Sequence, residues 1–315
     1  MATYLIEPEQ RTVHDHFSAE LPAVLTIDSG DTVEFRTLDA GWGLIDQVDP
    51  FSPPDKFESL TRGSYPGHPL CGPIAIRGAH PGMTLEIKIK VVRTGSWGWS
   101  GAGGIPLFFN EQLGVAEGEE CLLRWSLDQA EGKARNQFGH IIPIRPFMGI
   151  MGMPPDEPGR HSTFVPMFCG GNLDCKELIA GTSLFLPITV DTGLFSVGDG
   201  HAVQGDGEIS GVGLECPMES VVLEFRLHQA QLLTMPRAKT DEGWITFGLH
   251  TDLNEATVMA ADQMLKLVSE IYPLSRKQAL ALASHTVDFR ITQAVNPVRG
   301  VHAVLPDASI EFAVE

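Results

Sequence analysis

The sequence predicts a mainly β protein with a late helical excursion, and three observations carry that reading. Segments such as TVEFRT (residues 32–37) and TLEIKIKV (84–91) place apolar residues at every second position, the period of a half-buried strand. Turn-forming clusters, SGD at 29–31 and PGM at 81–83, separate these runs from their neighbours. Only one long stretch, DLNEATVMAADQMLKLVSEIY at 252–272, has the helical period.

Taken in chain order, AVLTID (23–28) and TVEFRT are the first strands, followed by a poorly periodic, Pro-, Gly- and aromatic-containing stretch at 41–69 that reads as a long covering loop. GPIAIRG (72–78) and TLEIKIKVV (84–92) resume the strand pattern. From 95 to 170, GSWGWSGAGGIP and IIPIRPFMGIMGMPPDEPGRHSTF are dense in Gly and Pro on either side of a strand at CLLRWSL (121–127). Their Trp, Phe and Met supply apolar area for packing, which predicts ordered loops that line a site or cap the end of a β structure. SLFLPITV (183–190) is a further strand, FSVGDGHAVQGDGE (195–208) a Gly-rich turn, and ECPMESVVLEFRL (215–227) a strand again through Val221, Leu223, Phe225 and Leu227.

The one long helix is expected near 253–271. Asp252 or Asn254 caps it, Val258, Ala261, Leu265, Val268 and Tyr272 share its inner face, and Pro273 ends it. A shorter helix, SRKQALALASH (275–285), follows, and strands VDFRITQAV (287–295) and ASIEFAVE (308–315) close the chain. Length predicts two domains, an N-terminal β-rich one over 1–150 and a C-terminal β-rich one with the helical insertion over 151–315.

Composition narrows the function. The 315 residues carry 22 Lys+Arg against 40 Asp+Glu, a net charge of -18, which repels phosphate backbones and anionic membrane surfaces. The N-terminus MATYLIEPEQR has no basic start followed by an apolar run, and no segment approaches about 18 uninterrupted apolar residues, so a cytoplasmic protein is expected. Five cysteines without a CxxC pair indicate neither a disulfide framework nor a Cys-rich zinc site. The glycine clusters precede no amphipathic helix, which disfavours a nucleotide-binding βαβ unit.

Two clusters could carry chemistry. His14 and His16 would share one face of a strand and could share a cation, or be ordinary surface or core residues. In FSVGDGHAVQGDGE, Asp199 and His201, then Asp206 and Glu208, stand two residues apart with Gln204 between. Mixed oxygen and nitrogen donors suit zinc or another divalent cation, and a carboxylate outside the metal shell could serve as general base. The same stretch is equally a loop whose Asp residues bond their own backbone. GGNLDCKEL (170–178) adds Asn172, Asp174 and Lys176, the lysine either polarising a carbonyl or forming a plain ion pair.

Longer motifs in the chain carry a family resemblance. GGNLD (170–174), GLFSVGDGHAVQGDGE (193–208), HPLCGPIAIRGAHPGMTLEIKI (68–89), TQAVNPVRGVHAVLP (292–306), VHDHFSAELPAVLTIDSGDTVEF (13–35) and IRPFMGIMGMPP (144–155) resemble the acetamidase/formamidase family, in the family's order and over nearly the whole chain. Phe17 departs from the Trp that the family often has there. The resemblance implies a jelly-roll-like or distorted β-barrel core with a smaller α/β part, hydrolysis of short amides such as formamide or acetamide, a bound divalent metal and a homo-oligomer. Positions that match its motifs are His14, Asp39, His68, Asn172, Asp174, Asp199, His201, Gln204, Asp206, Glu208 and Glu215.

The resulting expectation is an amidase that uses a metal-activated water. A divalent cation, zinc with calcium as alternative, is held by a subset of His14, Asp39, Asp199 and His201. Glu208 is the base, with Asp206, Asp174 and Lys176 also catalytic; Asn172, Gln204 and His68 hold the amide; Trp97, Trp99, Phe147 and Met148 wall the pocket. The alternatives are a thioester route through Cys169 or Cys175 and a non-catalytic metal-binding β module that recognises a small ligand.

Overall fold

A computed structural model describes residues 1–47, 49–58, 67–229 and 232–311. Two large sheets dominate it. A nine-stranded sheet runs in the order Thr3–Ile6, Thr32–Thr37, Met218–His228, Thr84–Thr94, Ser183–Pro187, Arg237–Lys239, Gly243–His250, Arg299–Pro306, Asp288–Gln293. A seven-stranded sheet carries Pro166–Met167, Gly170–Asn172, Phe147–Gly152, Phe195–His201, Leu70–Ile76 and Val13–His14, with Leu25–Ile27 paired to Leu70–Ile76. A smaller sheet joins Trp97–Ala102 to Cys121–Asp128, Lys133–Asn136 and Ile141–Pro143. All of these sheets are open rather than closed barrels. Both large sheets take strands from either side of residue 150, so strand pairing shows no break at the expected domain boundary.

Alternation produces the inner faces. In Thr32–Thr37, Val33, Phe35 and Thr37 are buried while their neighbours are more exposed, and Val221, Leu223 and Phe225 repeat the pattern on the adjacent strand. The two sheets meet through these residues: Phe195 of one packs edge-on to Phe225 of the other with ring centroids 5.0 Å apart. Ile74, Val197, Ile87 and Leu223 join the same core.

The long helix spans Leu253–Ile271 as expected, and Asp252 caps it by accepting from the N–H groups of Asn254 and Glu255. Its buried face differs. Leu265 and Val268 are inside as expected, but Ala256, Ala260, Met264 and Leu267 complete that face, whereas Val258 is 62% exposed. Small residues win because the helix lies directly on Gly248, where an added Cβ would strike the Ala256 carbonyl and the Ala260 amide. Thr246 Oγ1 donates to the Ala260 carbonyl at 3.0 Å across the same contact.

Three expected loops or turns are strands instead. Trp97–Ala102, Phe147–Gly152 and Phe195–His201 lie inside sheets, the last two buried along their whole length. Their glycines, which suggest turns, serve close approach: a Cβ on Gly200 would fall 2.6 Å from Met218 and one on Gly198 would strike the Pro69 carbonyl. The final strand is Arg299–Pro306 rather than ASIEFAVE; residues 308–311 are not extended, and 312–315 lie outside the described residues. Residues 59–66 of the expected covering loop also lie outside them.

Gly248→Ala is expected to lower the unfolding free energy by about 1–3 kcal/mol through overpacking, read as a reduced midpoint in urea denaturation. An unchanged midpoint would show that the helix does not depend on this close approach.

Candidate active site

The strand Phe195–His201 runs antiparallel between Phe147–Gly152 and Leu70–Ile76, and delivers Asp199 and His201 into the interior. Both are buried, at 2% and 1% exposure. Asp174 follows the neighbouring strand Gly170–Asn172, and its amide is bonded to the Gly149 carbonyl at 3.2 Å. Glu215 is fixed by reciprocal backbone bonds to Trp99, at 2.9 and 2.8 Å. Glu208 sits on a turn held to the C-terminal hairpin, where the Gly207 amide donates to the Thr292 carbonyl and its carbonyl accepts from the Ala294 amide.

These elements bring four carboxylates and two imidazoles together. His201 Nε2 is 3.1 Å from Glu215 Oε1 and 3.6 Å from Asp199 Oδ1, and His68 Nδ1 is 3.5 Å from the same Asp199 oxygen. Asp174, His201 and Glu208 form a second group around the same imidazole. On its far side, His201 Nδ1 lies 2.8 Å from Gln204 Oε1, while Gln204 Nε2 donates to the Asp174 carbonyl at 3.0 Å. With the Gln204 amide oriented by that second bond, His201 Nδ1–H donates to it and Nε2 faces the carboxylates.

Close packing makes the convergence possible. A Cβ on Gly149 would stand 2.6 Å from Asp199 Oδ2 and 2.7 Å from Asp174 Oδ1, so both carboxylates use the space that a side chain would take. A Cβ on Gly213 would stand 2.7 Å from the His201 ring. Phe147 packs edge-on to that ring at 5.1 Å. Asp174, Asp199 and Glu208 all have positive φ (50°, 59° and 48°), a conformation uncommon for non-glycine residues, whose strain the surrounding structure must hold.

Burial and mutual repulsion set the charges. Burial, with Glu208 and Asp199 nearby, pushes the Asp174 carboxyl well above its usual range. Glu208 is pushed up to about 8 by burial, against the pull of His201 and reinforced by Glu215 and Asp199. Burial also raises Glu215. At Asp199 burial acts upward too, but His68 and His201 outweigh it and hold this carboxyl below its usual range. Burial works against the charge of His201, yet Glu215 and Asp199 outweigh it and raise its pKa well above the ordinary value.

The donor set fits a small divalent cation. Zinc–oxygen and zinc–nitrogen bonds of about 2.0–2.2 Å at tetrahedral angles place neighbouring donors about 3.3–3.6 Å apart. The separations of 3.1, 3.6 and 3.5 Å among Glu215, His201, Asp199 and His68 lie close to that spacing. Asp199 Oδ1, Glu215 Oε2, Asp174 Oδ1 and His68 Nδ1 are buried without a hydrogen-bond partner, as donors meant for a cation would be. Imidazole nitrogen in the set favours zinc over calcium, which prefers oxygen ligands alone.

Other expected site residues lie elsewhere. Asp39 belongs to none of the metal-capable groups: its carboxylate accepts from the Gly41 amide, the Gly43 amide and the Trp99 indole, the last at 2.6 Å, which closes a turn behind Glu215. His14 Nε2 pairs with Ser196 Oγ at 3.0 Å, and burial with the neighbouring His16 lowers its pKa to about 3. Lys176 and Asp206 form an ion pair at 2.8 Å, both partly exposed. Asn172 is buried with Oδ1 unpartnered. Trp97 and Met148 are core residues, and Trp99 anchors Glu215. The cavity that reaches the site, of ≈ 510 Å³, is lined by Gln204, Asp206 and Glu208 and walled by Trp125, Ile142 and Leu214.

Sequence patterns of known proteins match this chain over the same elements. The pattern of the Acetamidase/Formamidase family covers residues 3–163 and 157–311. The chain belongs to the acetamidase/formamidase family. A Schizosaccharomyces pombe protein, named by inference as a formamidase, is 30% identical over 266 residues; the match covers 65% of this chain and 61% of that protein. Among solved structures, a predicted acetamidase/formamidase from Thermoanaerobacter tengcongensis superposes with a TM-score of 0.83 at 26% identity, covering 98% of this chain and 97% of that one. An acetamidase from Bacillus halodurans superposes with a TM-score of 0.83 at 27% identity, covering 96% and 97%. Among the described residues no helix is long and apolar enough to cross a membrane.

Glu215 matches a family motif but has no assigned role in the sequence reading, and Gly149, Gly213 and Asn296, whose Nδ2 is 3.4 Å from Asp174 Oδ2, are missing from it. Gly149→Ala, with no positive φ to oppose it, is expected to keep the fold while displacing Asp199 and Asp174. The affinity of this site for zinc, read by competition with a chelator, should fall at least tenfold against wild type; unchanged affinity would separate Gly149 from the site.

Proposed function

We propose that the chain hydrolyses a short linear amide to ammonia and a carboxylate, with water activated at a divalent cation, zinc in preference, held by Asp199, His201 and Glu215 with His68 beside Asp199. The observation that supports this most is the unpartnered Asp199 Oδ1, 3.6 Å from His201 Nε2 and 3.5 Å from His68 Nδ1, with Glu215 Oε1 3.1 Å from the same His201 nitrogen, separations suited to one ion. These residues would hold the cation, which would supply a Lewis acid for the amide carbonyl and would lower the pKa of water there from about 15.7 toward about 7.

The remaining steps belong to the chain. Glu208 is the carboxylate of the cluster that also lines the cavity, so it alone among the four meets an entering substrate. In its ionised form, which a cation in the cluster would favour, it takes the proton of the attacking water and returns it to the leaving nitrogen, since expulsion of an amine needs an acid. Asp174, tied by Asn296, has its carboxylate within 4.8 Å of that of Glu208 and orients it. Gln204 holds His201 in the tautomer that the reaction needs and borders the cavity. Lys176 and Asp206 compensate each other at the rim.

The thiol route finds no support. Cys169 is buried with its thiol pushed up to about 12, and burial also raises Cys175 well above its usual range, so neither sulfur is ionised for attack. The cavity of ≈ 510 Å³ exceeds what formamide fills, so acyl length is open to measurement.

Ammonia release from formamide, acetamide, propionamide and longer amides, with and without chelator, tests the reading. Cleavage of at least one amide that is lost on chelation is expected, and Glu208→Gln should lower kcat by about 10²–10⁴-fold while folded and metal-loaded. Full activity in that variant would remove Glu208 from the proton transfers. Metal binding without ammonia from any amide would point to a ligand-binding module.

A further inference from the structure

A second group of metal-capable side chains lies outside the site described above. Cys175 and Glu177 follow Asp174 in the same loop, and His302 projects from the strand Arg299–Pro306. Their exposures are 0%, 3% and 0%. Cys175 Sγ is 3.4 Å from Glu177 Oε2, His302 Nε2 is 3.4 Å from the same oxygen, and all three donors lie within 4.8 Å of one another.

We propose that Cys175, Glu177 and His302 form a second, structural divalent-metal site, of a thiolate-binding metal such as zinc, that clamps the loop carrying Asp174 to the C-terminal hairpin. Geometry supports it first. Zinc bonds of about 2.3 Å to sulfur and 2.0–2.2 Å to oxygen and nitrogen place tetrahedral neighbours about 3.6 Å apart for sulfur and oxygen and about 3.4 Å for oxygen and nitrogen. The two observed separations of 3.4 Å meet both values closely.

The orientation of the donors is a second, independent observation. His302 Nδ1 is bonded to Thr292 Oγ1 at 2.8 Å, while Nε2, fully buried, has no hydrogen-bond partner and points at Glu177 and Cys175. An imidazole that engages one nitrogen with a neighbour and presents the other to the group is the arrangement of a metal ligand with its outer support. Glu177 is divided in the same way: Oε1 accepts from Arg290 Nη1 at 3.1 Å, which leaves Oε2 for the group. Arg290 also bonds Glu242 at 2.8 Å.

Charge is then balanced. Coordination breaks the Cys175 S–H bond, releases the proton to solvent and forms a sulfur–metal bond, and the thiolate, Glu177 and Glu242 together offset Arg290 and a divalent cation. Burial keeps His302 below its ordinary pKa, in the neutral form that binds metal. The site shares no ligand with the carboxylate cluster, which contains no thiol, so a thiolate signal reports on it alone.

The test uses the full chain carrying Cys121→Ser, which removes the only exposed thiol, purified from cells grown with cobalt. A near-ultraviolet thiolate-to-cobalt charge-transfer band is expected, and it should persist in Cys216→Ser and His201→Asn but vanish in Cys175→Ser. Thr292→Val, which preserves packing, should keep the band and weaken cobalt affinity about 10–100-fold against a competing chelator. Absence of the band in the Cys121→Ser chain, or its persistence in Cys175→Ser, would overturn the site. If Cys175→Ser does not fold, an unchanged cobalt affinity in Thr292→Val overturns it instead.

Discussion

Four carboxylates share a volume that water barely reaches, and nearly everything about this protein's interior follows from accommodating them. Asp174, Asp199, Glu208 and Glu215 surround His201, each buried to 7% exposure or less. Like charges at such separations in a poorly solvated space repel strongly, and ions removed from water lose several kcal/mol of solvation each. Without a counter-ion the cluster must hold protons, and the raised pKa values of Asp174, Glu208 and Glu215 express that need. A divalent cation held among them would meet the same need by offsetting the charge directly.

The fold supplies the rigidity that such a cluster demands. Phe195–His201 is an interior strand of its sheet, so the position of Asp199 and His201 is set by backbone bonds on both sides rather than by a flexible loop. Gly149 on one neighbouring strand yields the room for two carboxylates. The C-terminal hairpin then braces both flanking loops, at Gly207 through Thr292 and Ala294, and at Glu177 through Arg290 and His302. The same hairpin carries Asn296, which touches Asp174. Strain at the three left-handed carboxylates is therefore held by sheet pairing and hairpin contacts together.

Much of the scaffold was legible because its physics is local. The alternation in 32–37, 84–92 and 215–227 and the capped period of 253–271 report solvent on one face and core on the other, and the structure places strands and a helix there. FSVGDGH, FMGIMG and WGWSGA were illegible as strands because their glycines answer to the backbone across the sheet, which a single segment does not display. For the site, the pattern of Asp199, His201 and Glu208 pointed to one place, since one short stretch carries all three. His68 and Glu215 approach it from 133 and 14 residues away in sequence from His201, by strand pairing and an isolated bridge, and spacing is silent about both. The i, i+2 spacing of His14 and His16 suggested a cation site, yet His14 meets Ser196 instead, and Asp39 is consumed by its own turn.

The central claim is that one divalent cation sits among Asp199, His201 and Glu215. Anomalous diffraction at the zinc edge, from crystals of the protein grown with zinc, measures this most directly. A peak within bonding distance of His201 Nε2, Asp199 Oδ1 and a Glu215 oxygen is the predicted result. Absence of density at that position in crystals where zinc scatters elsewhere, for example between His14 and His16, would contradict it.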